Sequence, residues 1–428
     1  MTAEIAVYNK TAVALAADSA VTISGGGKHK IYNGAEKLFS LSKHHPVGLM
    51  VYGSGDLCTA PWELVIKAYR AKISNNSFDT LENYAEDFFK FLENGNEIIS
   101  DGMRDEYQFS FLNESVFSPM LEAFSKDKQP EYWTGLDPKQ YAIDLEVFCH
   151  DLLRYLSEAE FLDGFSGDDI DEAIAYCNEL TPIIVENFFD SEKWAEAITP
   201  NLLTVINEIF ATMICKKSDL GNTSGIVIAG YGNKDFYPKV ISYDVCGFFK
   251  RKLRKSLNLE KCTSSGESGV TPFAQDDEVS AFMQGCSGQI IDKLHEQYTQ
   301  SIESFLEGID EVISSEIDQE RHDFFREKIV KAAEKALSKT DEKIQMFIHE
   351  NYVRKVVDMV KFLPKQDLAY MAESLVNLTA FKRKVSEDSE TVGGPIDVAI
   401  ISKTDGFIWV RRKHYFDKEL NHHFFARA

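Results

Sequence analysis

Four residues near the start of this chain have the types and spacing to do chemistry together: Thr2, Asp18, Lys37 and Gly53. An initiator methionine is normally removed when a small residue such as threonine follows it. Removal of Met1 would leave Thr2 with a free α-amine beside its hydroxyl. A hydroxyl is a poor nucleophile at its own pKa, but an α-amine, with an ordinary pKa of roughly 7.7–8.0, accepts its proton near neutrality. One residue then supplies both nucleophile and base. A buried lysine at that hydroxyl would lower its pKa, and a carboxylate would hold the lysine in place. A glycine at a strand end brings its bare N–H close to a scissile carbonyl, where it stabilises the developing oxyanion. Taken singly, each residue has a plainer reading. A Met-Thr start is commonplace, Asp18 and Lys37 read as surface charges, and Gly53 reads as a turn. In this order, and at strand ends, they form a constellation.

The elements that must position them follow from the apolar pattern. Ile5–Tyr8 and Ala12–Ala17 are short β-prone runs separated by Asn9–Lys10, so a hairpin returns Asp18 to the side of Thr2. Val21–Ile23 is followed by the turn signal Gly25-Gly26-Gly27. Lys37–Leu41 and Val47–Tyr52 predict a second hairpin across Ser42–Pro46, ended by Gly53-Ser54-Gly55, and Trp62–Ile73 has helical spacing. From residue 74 to 215 aromatic and apolar residues recur at helical intervals, as in Leu81, Tyr84, Phe88 and Leu92. Gly225–Ala229 and Lys239–Tyr243 predict a further hairpin about Gly232–Asn233. Cys262–Thr271 is rich in Ser and Gly. Residues 278–362 read as more than one helix, Pro364 breaks them, and Asp367–Lys384 is amphipathic. Gly393-Gly394-Pro395 leads into strands Ile396–Ile401 and Phe407–Arg411 around Thr404-Asp405-Gly406. Strands at both ends of the chain must pair late with early, which predicts one domain rather than a string of them.

Composition bounds the function. The 428 residues are 44% hydrophobic and 27% charged, as in an ordinary globular protein. The formal charge of −22 argues against nucleic-acid or anionic-membrane partners, which need a cationic face. The seven cysteines show no metal-ligand spacing and read as buried thiols in a reducing compartment. The N-terminus lacks the pattern of a signal peptide, and no apolar run is long enough to span a bilayer, so a cytoplasmic protein is expected. No cofactor and no metal is implied.

The runs Thr2-Ala3-Glu4-Ile5, Val13-Ala14-Leu15-Ala16-Ala17-Asp18-Ser19, Glu36-Lys37-Leu38-Phe39 and Gly48-Leu49-Met50-Val51-Tyr52-Gly53 resemble the front of proteasome β-type subunits, a family that includes the bacterial HslV-like and Anbu-like peptidases. The Thr2-to-Asp18 distance matches the family spacing. The lysine lies a few residues further on, with the extra length in the Gly25–Gly27 turn. The resemblance returns at Gly225–Gly230 with Val240–Asp244, at the Ser/Gly-rich Ser265-Gly266-Glu267-Ser268-Gly269, and at Asp388–Ile401 with its Gly-Gly pair before a strand. Roughly half the chain is covered, in matching order.

The resemblance implies the α+β fold of N-terminal-nucleophile hydrolases, a four-layer αββα sandwich, here with two large helical insertions. The core would comprise residues 2–73, 216–299 and 363–428, with insertions at 74–215 and 300–362. It implies a threonine peptidase with Thr2 as nucleophile and base, Lys37 lowering the hydroxyl pKa, Asp18 paired with Lys37, and Gly53 supplying the oxyanion N–H. Ser268 and Asp388 would support the amine. The segment between Asp388 and Gly393 is one residue longer than the family pattern, and Val392 stands where a serine is usual, which leaves Ser389 and Thr391 open for that role. Val21, Ala35 and Val51 match positions lining the family's specificity pocket and imply an apolar residue before the cut. Relatives form homo-oligomeric rings that take peptides or unfolded proteins, often with an ATP-driven unfoldase. Two other functions fit the same residues: an amidase acting on a small amide, and a catalytically silent structural subunit. Retention of Thr2, Asp18 and Lys37 together favours an enzyme.

Other residues have bland readings. His44-His45 and His422-His423 are adjacent pairs on loops rather than ligand pairs. The basic cluster Lys250-Arg251-Lys252 with Arg254-Lys255 reads as a solvated hairpin loop or as a salt-bridge partner for neighbouring subunits. Asp168–Glu172 lacks calcium-loop spacing and reads as a helix start capped near Ser166 or Gly167.

Overall fold

The computed structural model describes residues 2–25, 28–94, 98–126, 128–133, 137–189, 197–316, 319–386, 392–417 and 419–423. In chain order the strands are β1 (Glu4–Tyr8), β2 (Ala12–Ala17), β3 (Ala20–Gly25), β4 (Lys28–Asn33), β5 (Leu38–Ser40), β6 (Val47–Gly53), β7 (Asp56–Leu57), β8 (Ala60–Pro61), β9 (Ser224–Gly230), β10 (Lys239–Phe249), β11 (Lys252–Leu257), β12 (Gly269–Pro272), β13 (Asp397–Ser402) and β14 (Gly406–Arg411). The helices are α1 (Trp62–Ile73), α2 (Leu81–Glu93), α3 (Asp101–Ser110), α4 (Ser118–Lys126), α5 (Pro138–Ser157), α6 (Gly167–Phe188), α7 (Pro200–Cys215), α8 (Asp277–Gln284), α9 (Gly288–Glu316), α10 (Gln319–Ile348), α11 (Arg354–Val360) and α12 (Lys365–Val385). Helices and antiparallel strand pairs are segregated along the chain, the composition of an α+β protein. The chain divides into two compact units, one of residues 1–35, 265–400 and 408–428, the other of 36–264 and 401–407.

The first unit is built on a five-stranded sheet in the order β12-β1-β2-β13-β14, so the last strands pair with the first. The β1–β2 hairpin turns at Asn9, whose Oδ1 accepts from the Thr11 N–H at 2.9 Å while its amide donates to the carbonyls of Val360 and Leu363 at 3.1 and 3.0 Å. That asparagine both closes the turn and ties it to the end of α11. Side chains alternate across the pleat. Ile5 and Val7 of β1 and Ala12, Ala14 and Ala16 of β2 face a core completed by Leu368, Ala369, Ala372, Leu375 and Val376 of α12. Alanine on both surfaces lets helix and sheet approach closely with no void. The intervening side chains of the hairpin, among them Ala6, Val13 and Leu15, are buried as well. Strands β3 and β4 form a separate ribbon from Ala20↔Asn33 to Gly25↔Lys28. Polar Lys28–Lys30 hid β4 from the apolar pattern, and Gly26 and Gly27 of the expected turn lie outside the described residues.

The second unit carries a five-stranded sheet in the order β11-β10-β9-β6-β5. Leu49, Val51, Ile226 and Ile228 pack under Trp62, Ile66 and Tyr69 of α1 and Tyr84 and Phe88 of α2. The Trp62 indole N–H donates to Ser224 Oγ at 2.8 Å, which fixes α1 to the start of β9. A second apolar core, with Leu145 and Cys149 of α5, Ala173 and Cys177 of α6, and Ile206 and Phe210 of α7, lies within residues 111–249. Helix α6 starts as expected of Asp168–Glu172: Ser166 caps it, and its N–H donates back to Asp169 Oδ2 at 2.7 Å.

The basic cluster is a solvated hairpin loop only at Lys250 and Arg251, which form the exposed turn between β10 and β11. Lys252–Leu257 is a strand, and Arg254 is 2% exposed. Its guanidinium donates to the carbonyls of Met213 and Ile214 at 2.8 Å each and of Cys246 at 3.2 Å, closing the C-terminus of α7. Lys250 pairs with Glu172, Arg251 with Asp101 at 2.9 Å and Lys252 with Asp169 at 2.6 Å. Lys250 and Lys252 therefore find the acidic start of α6, and Arg251 that of α3, within the same chain. No helix among the described residues is long and apolar enough to cross a membrane.

Candidate active site

Thr2 enters β1 and is 5% exposed. Its position is set by β12. The register Ile5↔Pro272 continues past the strand, with the Phe273 N–H donating to the Glu4 carbonyl at 3.0 Å and the Gln275 N–H to the Thr2 carbonyl at 3.0 Å. Asp18, at the end of β2, returns opposite. Its N–H donates to the Ala3 carbonyl at 3.1 Å, and its Oδ1 accepts from the Ala3 N–H at 3.1 Å. Oδ2 accepts from the N–H groups of Ala20 at 3.1 Å and Gly393 at 3.0 Å. A carboxylate with no exposed surface thus gathers three backbone donors, one of them on the residue bonded to Thr2. Such charge-assisted bonds offset the cost of burying an ionised carboxylate.

The Gly393-Gly394-Pro395 turn completes this arrangement. The Ser19 N–H donates to the Gly393 carbonyl at 3.1 Å, and Ser19 Oγ donates to the carbonyl of Pro395. Gly394 has φ +76°, and a Cβ there would stand 2.9 Å from Asn33 Cβ, so only glycine lets the turn lie against β4. The late strand's entry is thereby fastened to the loop that carries Asp18.

Ser268 is not in this neighbourhood. Gly269 pairs with Tyr8, so Ser268 lies beyond the far end of β1 from Thr2, six residues and about 20 Å away at strand rise. The Ser/Gly-rich stretch matched by resemblance precedes β12, whereas the residue facing Thr2 follows it. Ser268 instead lines a cleft of about 860 Å³ with Tyr8, Glu267, Met283, Val357 and Phe362. Burial raises the Tyr8 phenol there, against a hydrogen bond with Thr271 Oγ1 at 3.1 Å. Asp388, Ser389 and Thr391 lie outside the described residues.

Lys37 and Gly53 belong to the second unit. Lys37 immediately precedes β5, is 6% exposed, and its carbonyl accepts from the Val51 N–H at 2.9 Å. Lysine is among the residues least often buried, and spacing alone does not show that this one is buried next to Leu38 and Phe39. Gly53 ends β6 with φ +79°, and a Cβ there would come within 2.3 Å of the Thr223 carbonyl oxygen. Glycine is required for the backbone to pass β9 at that point. Of the expected pocket residues, Val21 is half-buried on β3, and the half-buried Ala35 donates its N–H to the Ser19 carbonyl at 3.1 Å. Val51 packs with Leu49 and Ile226 in the core of the second unit and so lines no open wall there.

Sequence reasoning missed Gln275. It is 7% exposed and sits opposite Thr2, yet nothing in Thr271-Pro272-Phe273-Ala274-Gln275 marks it; only the β1–β12 register does. His45 Nε2 lies 3.2 Å from the Asn75 carbonyl, and no group of three or more His, Cys, Asp or Glu suited to a metal ion occurs among the described residues. No protein-family model and no curated protein matches this chain.

Proposed function

We propose that this chain is a threonine peptidase whose nucleophile is Thr2, freed by removal of Met1. The observation that carries the reading is the buried Asp18 carboxylate, bonded to the Ala3 N–H and through it holding the start of β1 beside the Gly393 turn. Strand pairing leaves the N–H groups of Ala3, Ala20 and Gly393 to this one carboxylate, which therefore fixes the backbone next to Thr2. In this reading the Thr2 amine takes the hydroxyl proton, and the alkoxide attacks the peptide carbonyl. The amine then returns the proton to the leaving amine, and water hydrolyses the acyl-threonine. Lys37 lowers the hydroxyl pKa, Asp18 is its counter-charge, and the Gly53 N–H stabilises the oxyanion. Gln275 replaces Ser268 as the residue facing Thr2. Val21 and Ala35 favour an apolar residue before the cut.

The same reading takes the fold as a four-layer αββα sandwich, with residues 74–215 and 300–362 as helical insertions. Two five-stranded sheets, each with helices on one face, support it.

The test compares wild type with Thr2→Ala on a panel of fluorogenic peptides and small amides. Peptide turnover lost in Thr2→Ala, with apolar residues preferred before the cut, supports the proposal. Equal turnover by the two proteins overturns it, and turnover of small amides alone moves the function to an amidase.

A further inference from the structure

Helix α9 is 29 residues long, about 43 Å at 1.5 Å per residue, and one of its faces is covered by α10. Leu306, Ile309 and Ile313 share a groove with Ile329 and Val330 of α10. A second face is open to solvent. Ile290, Leu294, Phe305 and Val312 are 55%, 57%, 67% and 65% exposed. At 100° per residue these four fall within about 60° of one another, in a row distinct from the residues facing α10. Gln297, Ser301 and Gly308 complete the row at spacings of three and four, the period of a helix–helix seam.

Two features of the row point to its occupant. The helix carries seven acidic side chains and one lysine, yet no charged residue lies in the row. A cationic partner would be met by carboxylates, whereas a second copy of the same acidic helix must keep its charges out of the contact. The sizes are also self-complementary under an antiparallel two-fold. Positions summing to 605 or 606 face each other, placing Leu294 on Val312, Gln297 on Gly308 and Ser301 on Phe305. Large meets small at both mixed pairs. Among the described residues no close neighbour requires glycine at position 308. Its φ is not in the left-handed region, and a Cβ there would meet nothing within 4 Å. A mid-helix glycine weakens the helix relative to alanine, and close approach of a partner helix is what it permits.

We propose that two copies of this chain associate through α9, antiparallel and isologous, with the row from Leu294 to Val312 as the seam. The test is sedimentation velocity on the full chain at tens of micromolar. Wild type should sediment at an even multiple of the chain mass. Leu294→Glu and Val312→Lys should each halve that mass while keeping wild-type helix content by circular dichroism, since both side chains are exposed. Mixing the two variants should restore the original mass. The carboxylate introduced at position 294 of one copy then meets the ammonium introduced at position 312 of the other, while the second Leu294–Val312 contact stays native. A wild-type monomer, an unchanged mass in either variant, or failure of the mixture to reassociate would overturn the proposal.

Discussion

Replacing Asp18 with asparagine changes one atom and removes one charge, and the structure says where the cost falls. Oδ1 serves the Ala3 N–H, and Oδ2 serves those of Ala20 and Gly393. An amide has one acceptor oxygen. Placed at the Oδ2 position, that oxygen keeps two donors and turns its own NH₂ toward Ala3. Placed at Oδ1, it abandons two donors. The first arrangement is cheaper and leaves one buried N–H unsatisfied, a penalty of about 1–3 kcal/mol, while two charge-assisted bonds become neutral at about 1 kcal/mol each. Asp18→Asn should therefore destabilise the protein by about 3–5 kcal/mol, a large share of the roughly 5–15 kcal/mol typical of a domain. The conflict is concentrated at the Thr2–Ala3 peptide, so peptide turnover should fall even in the folded fraction. Urea unfolding followed by circular dichroism gives the first quantity, and turnover at low urea gives the second. A loss below about 1 kcal/mol with turnover intact would refute the claim that this carboxylate organises the N-terminus.

Three further outcomes follow from the geometry. Gly53→Ala places a Cβ within 2.3 Å of the Thr223 carbonyl at φ +79°; a loss of at least about 1 kcal/mol from the backbone alone, plus the clash, should appear as a lower melting temperature. Arg254→Met strands the carbonyls of Met213, Ile214 and Cys246 and should cost at least about 3 kcal/mol in urea unfolding, about 1 kcal/mol or more per stranded acceptor, with no rescue by Arg254→Lys, because an ammonium cannot span the three acceptors of the guanidinium fork. Burial pushes the thiols of Cys149, Cys177 and Cys215 up to about 12 from 9.0. The folded state then holds protons that the unfolded chain releases, so the contribution of these thiols to stability is flat below pH about 9 and falls between 9 and 12 by up to about 1.4 kcal/mol per pH unit per thiol. Unfolding free energies measured across that range should show the slope; the triple Cys→Ala variant should lose the share of these three thiols and keep that of Cys58, Tyr107, Tyr141, Tyr176 and Tyr243, which burial also pushes up to about 12.

Elements whose apolar pattern is unbroken were legible because period and turn chemistry agree there. Ala12–Ala17 and Trp62–Ile73 coincide with the observed elements, and Val47–Tyr52 misses one residue. β4 and β11 were not legible, since Lys28-His29-Lys30 and Lys252-Leu253-Arg254-Lys255 are written in residues that read as solvent-facing. What makes β11 a strand is tertiary: Arg254 has three carbonyls to meet, and Lys252 has Asp169. The same limit applies at the site. Thr2 and Asp18 were legible as a hairpin pair separated by a polar turn. Gln275 was not, because its place opposite Thr2 depends on the register of β12, a four-residue strand opening on glycine. The place of Ser268 has that origin too: motif similarity pointed to the stretch before β12, and register puts the residue opposite Thr2 after it.

The central claim concerns one covalent bond. An acid-quenched reaction of the protein with a peptide ester, digested and mapped by tandem mass spectrometry, should yield an N-terminal fragment that begins at Thr2 and carries the acyl group. An active protein whose N-terminal fragment retains Met1, or whose acyl group resides on any other residue, would contradict the account.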